Sequence, residues 1–390
     1  MSARTYLLAA GAFTVGTSGY ILSGLLPAVS RELDVSLSTA GQLLTVFALS
    51  YAVAAPVLAA LTGRWNRRQL LVVALVVSAI GNVLSALAPN YPLLLVARVI
   101  SALGAAAYTP AATLVATALT TPEHRGRAVA TVFGGLTFSL IIGVPAGSLL
   151  GGSIGYQGVF AAVGALSLVA AVIVRLGVPQ VAAPPVVTIR ERFAVAADRR
   201  VLPVLGMTVL ACLAAFGVFT YISPLLAATA GIHGTVISLL LFAYGVGGAI
   251  GNSLGGRLTD RFGSQRLLVV IFAVFTTVLV TLPLTATTTI TAGIALFVWG
   301  LFTWSVNPPI QNWLIELAPT NSGLLLSLNA SAIYLGVGIS GVFGGLIIDN
   351  VGITLLPPIA GVLALAAFGL LLHARRATRK PEEEPVLLAA

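Results

Sequence analysis

A chain of 390 residues, 58% hydrophobic and 8% charged, with a mean hydropathy of +1.04, lies far outside the range of water-soluble folds. A formal net charge of +9 would suit a nucleic-acid partner, but the placement of the charges excludes one. With the N-terminus in the cytoplasm, every Lys and Arg other than Arg31 and Arg98 falls on the cytoplasmic side, the asymmetry of a membrane protein with both termini inside.

A bilayer core of about 30 Å needs about 20 apolar residues in a helix. Twelve such runs follow one another, at 5–29, 39–62, 69–88, 93–119, 128–153, 158–176, 201–229, 235–256, 267–285, 290–316, 323–347 and 354–373. Helices are required because open strands would leave backbone groups unpaired in lipid. The alternating segments of an outer-membrane barrel are missing. The first run is too long for a signal peptide, and Arg31-Glu32-Leu33-Asp34 follows it where a cleavage site of small residues would stand, so it is read as retained. Between the sixth and seventh runs, 177–200 carries Pro179, Pro184 and Pro185 and reads as a cytoplasmic linker. The segment 375–390 is basic, then acidic, and reads as a cytoplasmic tail whose basic part touches lipid headgroups. The expected fold is an all-α membrane protein with twelve transmembrane helices in two pseudo-symmetric six-helix bundles, 1–176 and 201–374.

A duplication supports the two bundles. Shifted by 197 residues, Leu61-Thr62-Gly63-Arg64-Trp65 falls on Leu258-Thr259-Asp260-Arg261-Phe262, and seven of the thirteen positions from Leu61 to Val73 are identical. In the same register Pro27 meets Pro224, Pro122 meets Pro319, Gly126 meets Gly323 and Gly147 meets Gly344. Two such halves form the walls of a solute path that opens alternately to each side. Glycines crowd the fifth, eighth and eleventh spans, and small residues at a spacing of four let backbones approach. Most of them read as helix packing, and they make spans 5 and 8, and 2 and 11, the natural crossing pairs between the halves.

Four segments carry a family resemblance. Gly256-Arg257-Leu258-Thr259-Asp260-Arg261-Phe262-Gly263 matches the loop signature G-x-L-a-D-R-x-G, and Arg98 with Ser101, Gly104 and Ala105 resembles a span-4 arginine motif. Gly143-Val144-Pro145-Ala146-Gly147 resembles a span-5 antiporter motif, and Phe219-Thr220-Tyr221-Ile222-Ser223-Pro224 resembles a span-7 hallmark. By these residues the chain resembles the major facilitator superfamily, and within it the twelve-helix drug:proton antiporters that include bacterial sugar (arabinose) and chloramphenicol efflux proteins. Gly143, Pro145 and Gly147 are coupling residues by that resemblance. Two positions depart from it. Gly63 stands where the first-half loop signature has Asp, and Gly19 replaces the acid of G-T-x-E-F, the proposed proton carrier of many relatives.

Arg98 is the one ionisable residue well inside a span, where a charge costs about 2.5–3.5 kcal/mol on insertion scales. It either snorkels to the outer interface or faces a cavity, holding water or a substrate dipole. With no carboxylate at mid-membrane, Asp34 is the best substitute proton carrier, ahead of Glu32 and His373. Asp260 and Arg261, set in a short loop beside a helix N-terminus, read as a cytoplasmic gate with Arg125 and Arg127 as pseudo-symmetric partners. The midplane substrate site is expected among Tyr20, Tyr108, Thr220, Tyr221, Tyr244, Trp299, Asn307, Gln311 and Asn329, whose aromatic and uncharged polar groups suit a neutral solute, together with Arg98 as its one charged member. Pro308-Pro309 should break span 10.

Cys212 is the single cysteine, and no metal cluster, phosphate-binding loop or catalytic triad is present, so no cofactor and no enzymatic activity are expected. The expected function is proton-coupled export of small neutral or lipophilic compounds, drug-like molecules or sugars, by a monomer in a bacterial inner membrane. The alternative is an uptake or facilitative carrier for a neutral metabolite without proton coupling.

Overall fold

A computed structural model describes residues 3–121, 125–181, 199–318 and 322–378, with the side chains at 3, 56, 60, 125–127, 322–324, 327 and 377–378 excepted. Most of the expected linker and tail therefore lies outside the described residues. Among those described, the chain is helical, with no strand. Ten helices among the described residues are long and apolar enough to cross a bilayer. A pair bent by 43° makes a further passage, and the 50-residue run Ala128–Gly177 breaks at Gly155 into two. The twelve passages are α1 (Ala3–Tyr20 with Leu22–Glu32), α2 (Leu37–Leu61), α3 (Arg67–Leu87), α4 (Tyr91–Ala118), α5 (Arg125–Phe138, continuing to 154), α6 (156–177), α7 (Val201–Thr220 with Ile222–Ala230), α8 (Thr235–Phe262), α9 (Ser264–Thr285), α10 (Thr289–Ser305 with Asn307–Leu317), α11 (Ser322–Val351) and α12 (Ile353–Leu355 with Leu356–Thr378). Both ends of the described chain lie at one end of the bundle, here called basal; Glu32, Asp34 and Asp349 mark the far end.

Local chemistry sets the helix ends. Asn66 and Asn90 accept from the backbone N–H groups of Arg68 and Leu93, and Thr288 forms a capping box with Thr291. The passages α5 and α6 turn at Gly155 (φ 68°, ψ 173°), and α11 and α12 turn at Gly352 (φ 97°, ψ 154°), a backbone region open essentially to glycine alone. These two residues coincide under the 197-residue shift. So do Asp34 (φ 51°) and Gly231 (φ 63°), the left-handed residues that end α1 and α7.

Proline shapes the helix interiors. Pro145 has no N–H for the preceding turn, and there α5 widens into a π turn, Ser139–Gly143, with the Val144 N–H reaching the Ser139 carbonyl. α10 is interrupted at Val306, just before Pro308-Pro309, as the sequence predicts. The breaks at Ile21 in α1 and Tyr221 in α7 were not expected; each lies within two turns of the aligned Pro27 or Pro224.

The two halves are packed differently. In the first, Gly81 lies on the Ser101 backbone and Gly104 on that of Ala74 and Ser78, locking α3 to α4. In the second, Gly247 and Gly251 lie on the Phe297 and Leu301 carbonyls and Gly300 on that of Tyr244, locking α8 to α10. Between the halves, α2 crosses α11, α5 crosses α8, and the outer parts of α1 and α7 meet, which bears out the crossing pairs read from the glycines. Large side chains such as Val53, Leu87, Leu176, Leu284 and Ile290 remain exposed on the surface, as a lipid-facing wall requires.

Candidate functional site

The halves close on each other at the far end. The Tyr221 hydroxyl donates to the Gly341 carbonyl at 2.6 Å, and its ring lies against Gly41 of α2. Pro27 cannot donate to the Ser23 carbonyl, and the Ser223 hydroxyl of the opposite half fills that place at 3.1 Å. Deeper in, Tyr20 stacks on Phe216 at 5.7 Å and Tyr51 on Tyr334 at 3.5 Å, both across the interface. Beneath this seal Gly16, Gly19, Tyr20, Phe47, Tyr51, Thr109, Tyr334 and Val337 help to line a cavity of about 20 Å³. Roughly 10–15 Å³ holds one water, so a solute of any size needs the halves to move apart.

Arg98 is fully buried (0% exposed) and does not snorkel. Its guanidinium donates to the Ser18 carbonyl at 2.9 Å and sits over the rings of Phe47 (4.5 Å) and Phe160 (5.4 Å). Its Nε and one terminal nitrogen have no hydrogen-bond partner among the described residues. The residue does not line the cavity: Phe47 stands between them, with Gly19 at its edge. Ser18 also donates to Asn82, which donates to the Ser78 carbonyl, so a polar strand of α1 and α3 backs the arginine.

The other expected residues separate into groups. Tyr20 lines the cavity. Tyr244 and Trp299 pack face to edge at 4.9 Å, buried in a ring cluster with Phe219. Tyr108 instead ties α4 to α1 by donating to the Leu8 carbonyl, and the Thr220 hydroxyl turns back to the Phe216 carbonyl of its own helix. Asn329 is buried and joins three helices, accepting from Thr208 at 2.7 Å and donating to Asn307 at 3.0 Å. Replacing Asn329 with Leu deprives Asn307 of this donor and leaves the Thr208 hydroxyl only its longer bond to the Val204 carbonyl at 3.4 Å, and a loss of about 1–3 kcal/mol is expected, measured as a fall of several degrees in melting temperature of the detergent-purified protein. Gln311 lies half-buried on the basal part of α10.

Gly143 and Gly147 lie against Thr17 and Ile21, and the Gly24 position is 2.8 Å from Ser148 if a Cβ is added. This face of α5 therefore packs on α1, within one half. Gly245 of α8 presses on the Leu140 and Ile141 backbone, within the π turn. Asp34 and Glu32 are exposed, as are Asp260, Glu316 and Asp349, so every carboxylate among the described residues is exposed. Asp260 departs from the expected loop: α8 continues to Phe262, and a single residue, Gly263 (φ 78°, ψ 151°), makes the turn into α9. Asp260 thus sits on the last turn of a helix, where the macrodipole favours Arg261 and disfavours the acid, reversing the electrostatic support expected for it. The Arg261 guanidinium lies over the Phe262 ring at 5.3 Å. The side chains of Arg125 and Arg127 lie outside those described.

Sequence reading missed Phe47, Phe216 and Thr303. Phe47 and Tyr51, one turn apart on α2, were the available signal for the first; the second and third look like any apolar or small residue of a span.

Two six-helix halves around a central, uncharged, aromatic-walled cavity define a multi-pass membrane transporter. The Major Facilitator Superfamily profile matches residues 8–320 and 204–388, and the chain belongs to that superfamily. It is 34% identical over 378 residues to the inner membrane transport protein YdhP of Escherichia coli K12, covering 96% of each chain. It is 35% identical over 351 residues to the MFS-type transporter YbcL of Bacillus subtilis, 90% of each. Over 268 residues it is 35% identical to a chloramphenicol resistance protein of Streptomyces lividans, 68% of each. Its fold matches the crystal structure of a bacterial homologue of the human lysosomal transporter Spinster, in an inward-facing and occupied conformation, with a TM-score of 0.78, 18% identity and 98% of each chain covered.

Proposed function

We propose that this transporter exports small neutral or lipophilic compounds, drug-like molecules or sugars, across a bacterial inner membrane by alternating access coupled to protons. The observation that carries the reading is the cavity wall between the halves, built from Tyr20, Phe47, Tyr51 and Tyr334 with no carboxylate or ammonium in contact. Such a wall binds aromatic and apolar surface and excludes strongly hydrated ions. The similarity to a chloramphenicol resistance protein, and to a chloramphenicol efflux pump of Mycobacterium tuberculosis at 28% identity over 372 residues, agrees with it. In this reading the protein works as a monomer with both termini cytoplasmic. Asp260 and Arg261, with Arg125 and Arg127, guard the basal mouth, and Gly143, Pro145 and Gly147 keep α5 tight against α1 as the halves rock.

A second reading, facilitated passage of a neutral metabolite without protons, is favoured by Gly19 and by the exposure of Glu32 and Asp34. Purified protein in liposomes separates the two. Chloramphenicol flux should rise at least threefold when a pH gradient is imposed and change direction with its sign. Flux indifferent to the gradient supports the second reading; no flux of chloramphenicol or of arabinose with or without a gradient counts against both.

A further inference from the structure

Four hydrogen-bond donors with no aligned partner among the described residues lie where α8 packs on α10: the Tyr244 hydroxyl, the Thr303 hydroxyl and the indole nitrogens of Trp299 and Trp304. Tyr244 and Trp299 are 1% and 0% exposed. Thr303 and Trp304 flank the Tyr244 hydroxyl as its polar neighbours, but among the described residues their donors are not aligned on an acceptor. Even fully paired with one another, four donors would share two hydroxyl oxygens, because an indole nitrogen cannot accept. Buried donors of this kind are rare in folded proteins and ask for a reason.

Their position supplies one. From Tyr20 in the cavity wall a row of touching rings leads through Phe216 and Phe219 to Tyr244. On α10, Thr303, Trp304, Asn307, Pro308 and Gln311 form a half-exposed face running toward the basal end, and it stops at Gly300, pressed against the Tyr244 carbonyl. The donors stand at the inner end of that face. The glycine contacts Gly247–Phe297, Gly251–Leu301 and Gly248–Trp304 hold the two helices too rigidly for the groups to find other partners by local shifts.

We infer that this cluster is a recognition subsite for a hydrogen-bond acceptor on an aromatic solute, so that the preferred ligands are neutral aromatic ketones, amides or nitro compounds. The inference rests on the proposed central site for where the solute binds, but not on the direction or coupling of transport. The ring row takes the aromatic body, and the donors take one oxygen. An ammonium group, all donor, finds little to bond there. A site that hydrogen-bonds an oxygen discriminates strongly against an analogue that lacks it, because its own buried groups are then left unpaired.

Benzophenone and 1,1-diphenylethylene test this, being alike in shape and differing in a carbonyl oxygen against a methylene. Binding of each to protein in lipid nanodiscs is measured by equilibrium dialysis, and the ratio of the two affinities is compared among variants, so that partition into lipid cancels. Tyr244→Phe and Thr303→Val should each lower the ketone-over-alkene ratio at least fivefold while leaving alkene affinity within twofold. Thr276→Val, which removes a buried hydroxyl on α9 without a partner among the described residues, should leave the ratio unchanged. A ratio unaltered by both Tyr244→Phe and Thr303→Val overturns the inference, as does an equal fall in Thr276→Val. If the ratio behaves as expected but liposomes show no flux of any neutral compound, the subsite stands and the export reading fails.

Discussion

Arg98→Met should abolish transport while leaving the protein as stable as the parent, or more so. The buried guanidinium has one hydrogen bond, to the Ser18 carbonyl, and two ring faces, but no carboxylate. Ring contacts return about 0.5–2 kcal/mol, whereas taking a lone cation out of water costs several kcal/mol. A methionine of similar length fills the space between Phe47 and Phe160 without that penalty, and such swaps of buried ions are often neutral or stabilising. A residue kept against its own folding energy is kept for function. Its position one ring behind the cavity wall lets its field act on whatever lies there, and a movement of Phe47 would bring its free nitrogens to the solute. The expected result is at least a tenfold loss of flux in liposomes with an unchanged or higher melting temperature. Arg98→Lys, which keeps the charge but not the planar stack, should recover part of the flux at most. Normal flux in Arg98→Met would reduce the residue to packing.

The second large effect is expected from Gly341→Leu. A Cβ at this position would lie 2.5 Å from the Gly41 carbonyl of the opposite half, beside Thr45. Backbone cannot yield there as a side chain would, so the substitution wedges α2 from α11 at the far end, and the contacts of Tyr221 with Gly41 go with it. Neither half loses its internal packing. Flux should therefore fall at least tenfold, while a cysteine placed at the buried Ser38, in a chain with Cys212→Ser, becomes at least tenfold more reactive to an impermeant maleimide. Gly134→Leu, a site where an added Cβ meets nothing within 4 Å, serves as the control and should transport normally. Parent flux in Gly341→Leu, or an unchanged labelling rate, would show that far-end closure is not part of the cycle.

Much of this architecture can be read from the chain because lipid leaves so few options. Apolar run length gave the helical passages, and shared glycines and prolines in one register gave the two halves and their crossing pairs. The interruption of α10 followed from Pro308-Pro309, since a ring that removes a donor acts locally. The bends in α1 and α7 did not, because Pro27 and Pro224 lie past them and the tertiary contacts decide where the strain is released. The site was less legible. Tyr108 and Thr220 carry the same hydroxyl groups as a ligand-binding residue, yet each spends its proton on a backbone carbonyl, a matter of rotamer that spacing cannot reveal. The reversal at Asp260 has the same origin: whether the signature is loop or helix depends on Gly263 making the whole turn alone. Phe47 had only its spacing from Tyr51 to mark it, and that spacing does not tell a phenylalanine that shields a charge from one that meets lipid.

Gly155 and Gly352 turn the chain in one residue each, at equivalent places in the two halves. A one-residue turn holds no spare length. α5, which lies at the interface between the halves, is thereby coupled to α6, which does not, and α11 is coupled in the same way to α12. Neither inner helix can slide along its axis without dragging its outer neighbour. Torque applied at the interface would pass to the periphery, so the one-residue turns favour movement of each bundle as one piece.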